Sequence, residues 1–255
     1  MQAFIAPFRR TAVLASVAAA SMMFGQAAVA QTFSDDQRHQ IEAIIKDYLI
    51  SHPDVMDDIM AAMDKHQKEA DAEKQRATII QNKATIFSSP HQVVLGNPQG
   101  NVTMVEFFDY NCGFCKRALS DMMTLLKTDP DLKFVLKEFP VLGEGSVEAA
   151  HVAVAARMQD SSGKKYIDFH QKLLGGRGPA DKAHALAAAK EAGFDMGRLE
   201  KDMASDEVKT TIDENLKLAD TLGVSGTPSY VVGSELLVGA VGLDELREKI
   251  AAERK

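Results

Sequence analysis

The stretch FFDYNCGFCKR, residues 107 to 117, holds Cys112 and Cys115, the only two cysteines in a chain of 255 residues. Two thiols three residues apart close too short a loop to staple a large fold, and a structural zinc site takes four ligands. The segments on either side narrow the choice. Upstream, Val102 to Phe108 (VTMVEFF) is a near-continuous apolar run of buried-strand length. Downstream, Lys116 to Lys127 has helical character and stops at Asp129-Pro130, and Leu132 to Phe139 (LKFVLKEF) reads as a second buried strand. Strand, CxxC, helix and strand in that order make a βαβ unit, so an α/β fold is expected around the cysteines.

At the start of a helix, the spacing lets Cys112 and Cys115 bond across Cα atoms roughly 5–6 Å apart. The first cysteine lies beside free backbone amides that stabilise a thiolate, and Lys116 and Arg117 follow with positive charge. A stabilised thiolate both attacks disulfides and leaves from them, which suits thiol–disulfide exchange. Two other uses of the pair stay open. A zinc site would need two of the seven histidines to converge on it, there being no second CxxC. An inert local staple is the other. The expected metal-ligand set is empty.

Further out, Val93 to Leu95 reads as a short strand and Gly96 to Gly100 as a turn. Residues from about 145 to 222 read as helical. Pro228 to Val232 and Glu235 to Gly239 then read as a hairpin about Gly233-Ser234, followed by a closing helix from Leu243. A strand-rich frame interrupted by helices predicts an inserted helical domain, with the catalytic domain over 91–255.

Residues 31–90 read as an N-terminal helical arm. Ser34 and Gln37 fit a capping box, and Ile41, Ile44, Ile45, Tyr48 and Leu49 mark one helical face. From Pro53 to Phe87 there is no Gly or Pro after the first residue, enough for a helix of about 50 Å. Met56, Met63, Ala70, Ala77 and Ala84 recur every seven residues, with Ile59, Ile80 and Phe87 on complementary positions; His66 and Glu73 interrupt the seam. The reading is an oligomerisation arm, against the alternative of a helix lying on its own catalytic domain.

Residues 1–30 read as a cleaved secretory signal. Arg9 and Arg10 precede an apolar run, and Ala28 and Ala30 give a small-x-small cleavage pattern near Ala30. Without those two arginines the basic count falls from 29 to 27 against 36 acidic residues, a net charge of −9. That balance argues against a basic nucleic-acid-binding face. Export places the cysteines outside the cytosol, where disulfides form and persist.

With VEFFDYNCGFCKR, KEFPVLG and GVSGTPSYVVG on either side of the helical block, residues 90–255 resemble the thioredoxin-fold DsbA superfamily of exported disulfide oxidoreductases. Within it they look most like the ScsC-type (suppressor of copper sensitivity) and Com1-like proteins, and the arm resembles the ScsC trimerisation region. The resemblance implies that the compartment of export is the periplasm. It also implies that Cys112 is the exposed nucleophile and Cys115 the buried resolving thiol, a redox-active pair needing no other cofactor. It implies that Thr227-Pro228 is a cis-proline loop facing the pair, where a substrate strand can lie. Gly113 and Phe114 complete the implied substrate-contacting set. They resemble the Gly-Tyr of dimeric disulfide isomerases and lack the His of strongly oxidising members, which implies a milder oxidant. Glu106 matches the acid that moves the proton of the buried cysteine, a task suited to a carboxyl whose pKa is raised by burial. The competing reading pairs Glu106 with Lys137 on the neighbouring strand.

Three functions follow from this. The first is a homotrimeric protein disulfide isomerase acting on unfolded or misoxidised exported proteins. A membrane thiol reductase (DsbD/ScsB-like) would keep it reduced. The second is a monomeric DsbA-like dithiol oxidase. The third is a copper-binding or chaperone protein, since thiolates select Cu(I); Met56, Met60 and Met63, however, lie at helical spacing that suits an interface.

Overall fold

The computed structural model describes residues 33–160 and 162–254; the signal-peptide reading lies outside the described residues. The described residues build one five-stranded sheet from β1 (Val93–Gly96), β2 (Val102–Phe108), β3 (Leu132–Glu138), β4 (Ser229–Val232) and β5 (Glu235–Val238), in the order β1-β3-β2-β4-β5. β2 and β3 run parallel, and the other neighbours are antiparallel. A parallel neighbour requires a crossover, which the helix Gly113–Thr128 supplies. This is the βαβ unit read from the sequence.

Pleating then divides each central strand between two cores. Met104 and Phe108 of β2, with Leu132, Phe134 and Leu136 of β3, face the larger core. Val105 and Phe107 of β2, with Val135 of β3, face the smaller one. Both strands are therefore apolar almost throughout, as strands covered on two faces must be.

Ten helices are described: α1 (Asp35–Ser51), α2 (Pro53–Gln81), α3 (Lys83–Ser88), α4 (Gly113–Thr128), α5 (Glu144–Arg157), α6 (Lys164–Leu174), α7 (Lys182–Glu191), α8 (Met196–Asp202), α9 (Asp206–Leu222) and α10 (Leu243–Glu253). α5 to α9 fall between β3 and β4, at the place where the sequence predicts an insertion. α5 sits at the centre of this block, packed on α6, α7, α8 and α9. Its buried Ala149, Ala150, Ala153, Ala155 and Ala156 let these neighbours approach closely. The architecture is a thioredoxin fold with a helical domain inserted between β3 and β4.

The described residues divide into two compact units, one through Ala61 and the other from Ala62. In the first, Ser34 and Gln37 form the reciprocal capping box that starts α1. α1 contains no buried residue, and its Ile44 and Ile50 are 67% and 70% exposed. Met60, near the start of α2, is exposed as well.

The uninterrupted helix expected from Pro53 to Phe87 is broken at Asn82, between α2 and α3. Asn82 has φ −102° and ψ 12°, and its side-chain amide donates to the Thr78 carbonyl at 2.9 Å. Asparagine competes with the backbone in this way, which is why it is a poor interior helix residue. Beyond the break Ile86 and Phe87, together with Ile79 of α2, enter the smaller core behind the sheet. Two β3 lysines on that face close the contact: Lys133 Nζ donates to Phe87 O at 2.9 Å and Lys137 Nζ to Thr85 O at 2.8 Å.

Candidate active site

β2 ends at Phe108, and the turn Asp109-Tyr110-Asn111 delivers the chain to Cys112, the N-cap of α4. The Cys112 backbone amide donates to Asp109 O at 3.0 Å, closing that turn. Cys112 sulfur in turn accepts the Cys115 amide at 3.3 Å, so a helix-start donor is aimed at the atom on which negative charge would form. Cys112 and Cys115 are unbonded thiols in this structure.

The two cysteines differ in access, and by less than the resemblance implies. Cys115 is fully buried, and Cys112 is 5% exposed rather than open. The reason lies in the loop before β4. The Thr227-Pro228 peptide bond is cis, and Thr227 O accepts from the Cys112 thiol at 3.1 Å. Gly113 and Phe114 lie on the outer side: a Cβ on Gly113 would meet nothing within 4 Å, and Phe114 is 57% exposed. The structure therefore brings Cys112, Cys115, Gly113, Phe114, Thr227 and Pro228 to one place.

The two cations that follow the pair are occupied elsewhere. Lys116 Nζ donates to Gly178 O at 3.2 Å, and the Arg117 guanidinium lies 4.2 Å over the Phe114 ring. The donor aimed at Cys112 sulfur is the Cys115 backbone amide.

Glu106 is 3% exposed and faces the larger core with Cys115. Burial, reinforced by the charge of Asp121 on α4, pushes its carboxyl up from 4.5 to about 8. Burial also pushes the Cys115 thiol well above the ordinary range, with the Glu106 charge as the next cause. Pairing with Lys137 is ruled out by register. Glu106 sits opposite Leu136 on one side and Tyr230 on the other, whereas Lys137 is opposite Phe107. Lys137 therefore points through the other face, toward Thr85 O and Glu214. Burial lowers its amine to about 8, with Glu214 opposing the shift.

Sequence reasoning passed over two groups of polar residues beside the pair. One is Asp109 and Asn111, inside the motif itself. The other is a buried cluster behind it. Tyr166 OH donates to Glu138 Oε1 at 2.7 Å, and Tyr110 OH lies 3.2 Å from both Tyr166 OH and His170 Nδ1. Burial lowers His170 to about 3, so its ring is neutral near pH 7, and burial raises Glu138 well above its ordinary value. Among the described residues no group of three or more His, Cys, Asp or Glu could hold a metal ion.

Comparison with known proteins agrees with this geometry. Residues 103–251 match the family described as "DSBA-like thioredoxin domain", and residues 37–70 match the "Copper resistance protein ScsC N-terminal domain". A thioredoxin-like oxidoreductase from Silicibacter pomeroyi DSS-3 is similar at 43% identity, with 68% of this chain and 98% of that chain covered and a TM-score of 0.64. The thiol-disulfide exchange protein alpha-DsbA2 of Wolbachia pipientis is 32% identical, with 72% and 97% covered and a TM-score of 0.67. A linker-deletion mutant of Proteus mirabilis ScsC is 25% identical, with 87% and 97% covered and a TM-score of 0.66. Among curated proteins, the chain spans 24% of a Na(+)/H(+) antiporter NhaA 1 of Salinispora arenicola, matching it at 25% identity over 62% of this chain. With the βαβ unit, the paired thiols and the Thr227-Pro228 loop in place, the chain belongs to the DSBA-like thioredoxin family of thiol–disulfide oxidoreductases, and within it is of the ScsC type.

Proposed function

We propose that this chain is an exported, periplasmic protein disulfide isomerase that works as a homotrimer on misoxidised proteins. In the shuffling reaction Cys112 thiolate attacks a substrate disulfide, forms a mixed disulfide and releases one substrate thiolate. That thiolate, or another in the same substrate, attacks a different disulfide. A substrate thiolate finally attacks the mixed disulfide and frees Cys112, so no net oxidation occurs.

Cys115 is the escape route. Its thiol passes a proton to the Glu106 carboxylate, its thiolate attacks Cys112 sulfur, and the substrate leaves reduced as the Cys112–Cys115 disulfide forms. A membrane thiol reductase of the DsbD/ScsB type then restores the dithiol. A raised thiol pKa makes this escape slow, which leaves time for shuffling. Thr227, Pro228, Gly113 and Phe114 would line the path of the substrate chain.

The observation that carries the isomerase reading is the apolar face of α1. A 17-residue helix with no buried residue and with Ile41, Ile44, Ile45 and Tyr48 exposed leaves that apolar face open to solvent. A second copy would cover it. Copies of the catalytic unit facing one another would hold a misfolded chain by multivalency. The test is the solution mass of the mature chain, beside a chain beginning at Ala62, with refolding of a scrambled-disulfide protein by both. A mass near three chains that falls to one, with shuffling lost, supports the proposal. A full-length monomer would leave the dithiol oxidase as the better reading.

A further inference from the structure

Asp109 is 1% exposed, and its carboxylate is fully used. Oδ1 accepts the Asn111 amide at 2.8 Å and the Ser146 hydroxyl at 2.7 Å. Oδ2 accepts the amides of Val141 and Leu142 at 2.9 and 3.0 Å. The backbone oxygen of the same residue takes the Cys112 amide. One residue thus fastens the turn before the nucleophile to the loop between β3 and α5.

Asn111 extends the fastening into the helical insertion. Its Nδ2 donates to Ser146 Oγ at 3.0 Å and to Ala180 O at 2.8 Å, and its Oδ1 accepts the Ala180 amide at 2.7 Å. Four donors on one buried carboxylate exceed what a turn needs. The Asn111 and Cys112 amides are satisfied within the turn, whereas the other donors come from distant parts of the chain, at Val141, Leu142 and Ser146.

The loop that Asp109 holds is not inert. Val141 and Leu142 bond to it through their amides while their side chains face outward, 46% and 53% exposed. Exposed apolar residues tied through Asp109 to the turn that carries Cys112 form an edge on which an extended polypeptide can rest. The exposed Phe114 ring supplies a second apolar contact beside the cysteines.

We propose that Asp109 is a positioning residue that registers the Cys112 loop against an apolar docking edge made by Val141 and Leu142. The occupant of that edge is an unfolded polypeptide segment flanking the disulfide under attack. The inference rests on the thiol–disulfide exchange reading and adds to it the residue that ties chemistry to recognition.

Asp109→Asn is the direct test. An amide cannot accept at both former oxygen positions, so in either orientation at least one backbone N–H of Asn111, Val141 or Leu142 is left facing another N–H. The loops then lose register. The second-order rate constant of reduced enzyme is measured by stopped flow with two disulfides: oxidised glutathione, which carries no apolar side chain to rest on the edge, and an apolar peptide carrying one disulfide.

The expected result is a loss of about tenfold with the peptide, the scale set by a small misplacement of reacting groups, and less than about threefold with glutathione. Parallel losses on both, or no loss with the peptide, overturn the proposal. Val141→Ser/Leu142→Ser leaves Asp109 in place and carries the test should Asp109→Asn not fold. It must show the same selective loss, and equal effects on both disulfides overturn the proposal. Wild-type enzyme that reacts with neither disulfide removes the exchange reading itself.

Discussion

Glu106→Gln is the substitution that tests the buried site most directly. The Glu106 carboxyl is held at about 8 in the folded chain against 4.5 outside it, mainly by burial. A displacement of roughly 3.5 pH units corresponds to about 5 kcal/mol. The unfolded chain gives up this proton near 4.5 and the folded chain only near 8. Between those values the folded state binds more protons, so stability is present below pH 4.5 and lost as pH rises toward 8. Glutamine has no proton to lose. The stability of Glu106→Gln relative to wild type should therefore increase by about 4 kcal/mol between roughly pH 5 and pH 9.

The double difference matters, because the substituted glutamine has its own packing cost and Lys137 titrates in the same window. The first is independent of pH and the second is common to both proteins, so both cancel. With no tryptophan in the chain, urea unfolding is followed by far-UV circular dichroism at each pH. A relative stability that does not change across that interval would show that Glu106 titrates like a solvated acid. The raised carboxyl would then be wrong, and with it the proton acceptor assigned to Cys115.

Other outcomes follow from single contacts. Phe114→His places a hydrogen-bond donor where the ring stands 57% exposed beside the pair. It should raise the reduction potential by at least about 30 mV, or 1.4 kcal/mol, in equilibrium with glutathione. Ile44→Asp puts a charge on the exposed face of α1 and should halt self-association, read as a fall in mass by light scattering. A chain beginning at Pro90 loses Ile79, Ile86 and Phe87, each buried in the smaller core. Losing large core side chains costs about 2–5 kcal/mol each, so that chain should melt far below one beginning at Ala62.

The sequence and the structure agree most closely where the apolar pattern is strong. VTMVEFF and LKFVLKEF read as strands because both faces of each are covered, and the CxxC between them fixes the crossover. The break at Asn82 is harder to see, since one asparagine between Gln81 and Lys83 carries little signal in a run without Gly or Pro. Glu106 and Lys137 show what register adds. They lie on adjacent parallel strands and read naturally as an ion pair. Pairing Glu106 with Leu136 puts the two side chains on opposite faces of the sheet. The cis geometry at Thr227-Pro228 is legible only through resemblance, as nothing local in GVSGTPSYVVG demands it. Asp109 is illegible for another reason. An acid before a helix start reads as turn chemistry, and the Val141, Leu142 and Ser146 donors that define it are distant in sequence.

The root of the arm follows from the same register. Lys133 and Lys137 are four residues apart on β3, so both leave the sheet on the face opposite Cys115. There they take the carbonyls of Phe87 and Thr85, which a helix ending at Ser88 leaves without intrahelical partners. A buried lysine on such a carbonyl acts as a C-terminal cap, and its charge also favours the negative end of the helix. With Ile79, Ile86 and Phe87 buried beneath, the segment from Ile79 to Ser88 belongs to the packing of the sheet. Burial holds the Lys137 amine near 8 against 10.5 in the unfolded chain. A depressed lysine costs stability while protonated, and the cost falls as pH rises from about 8 toward 10.5. Lys137→Met removes that titration. Its stability relative to wild type should fall over the same interval, and a constant difference would show that Lys137 is solvated like a surface amine.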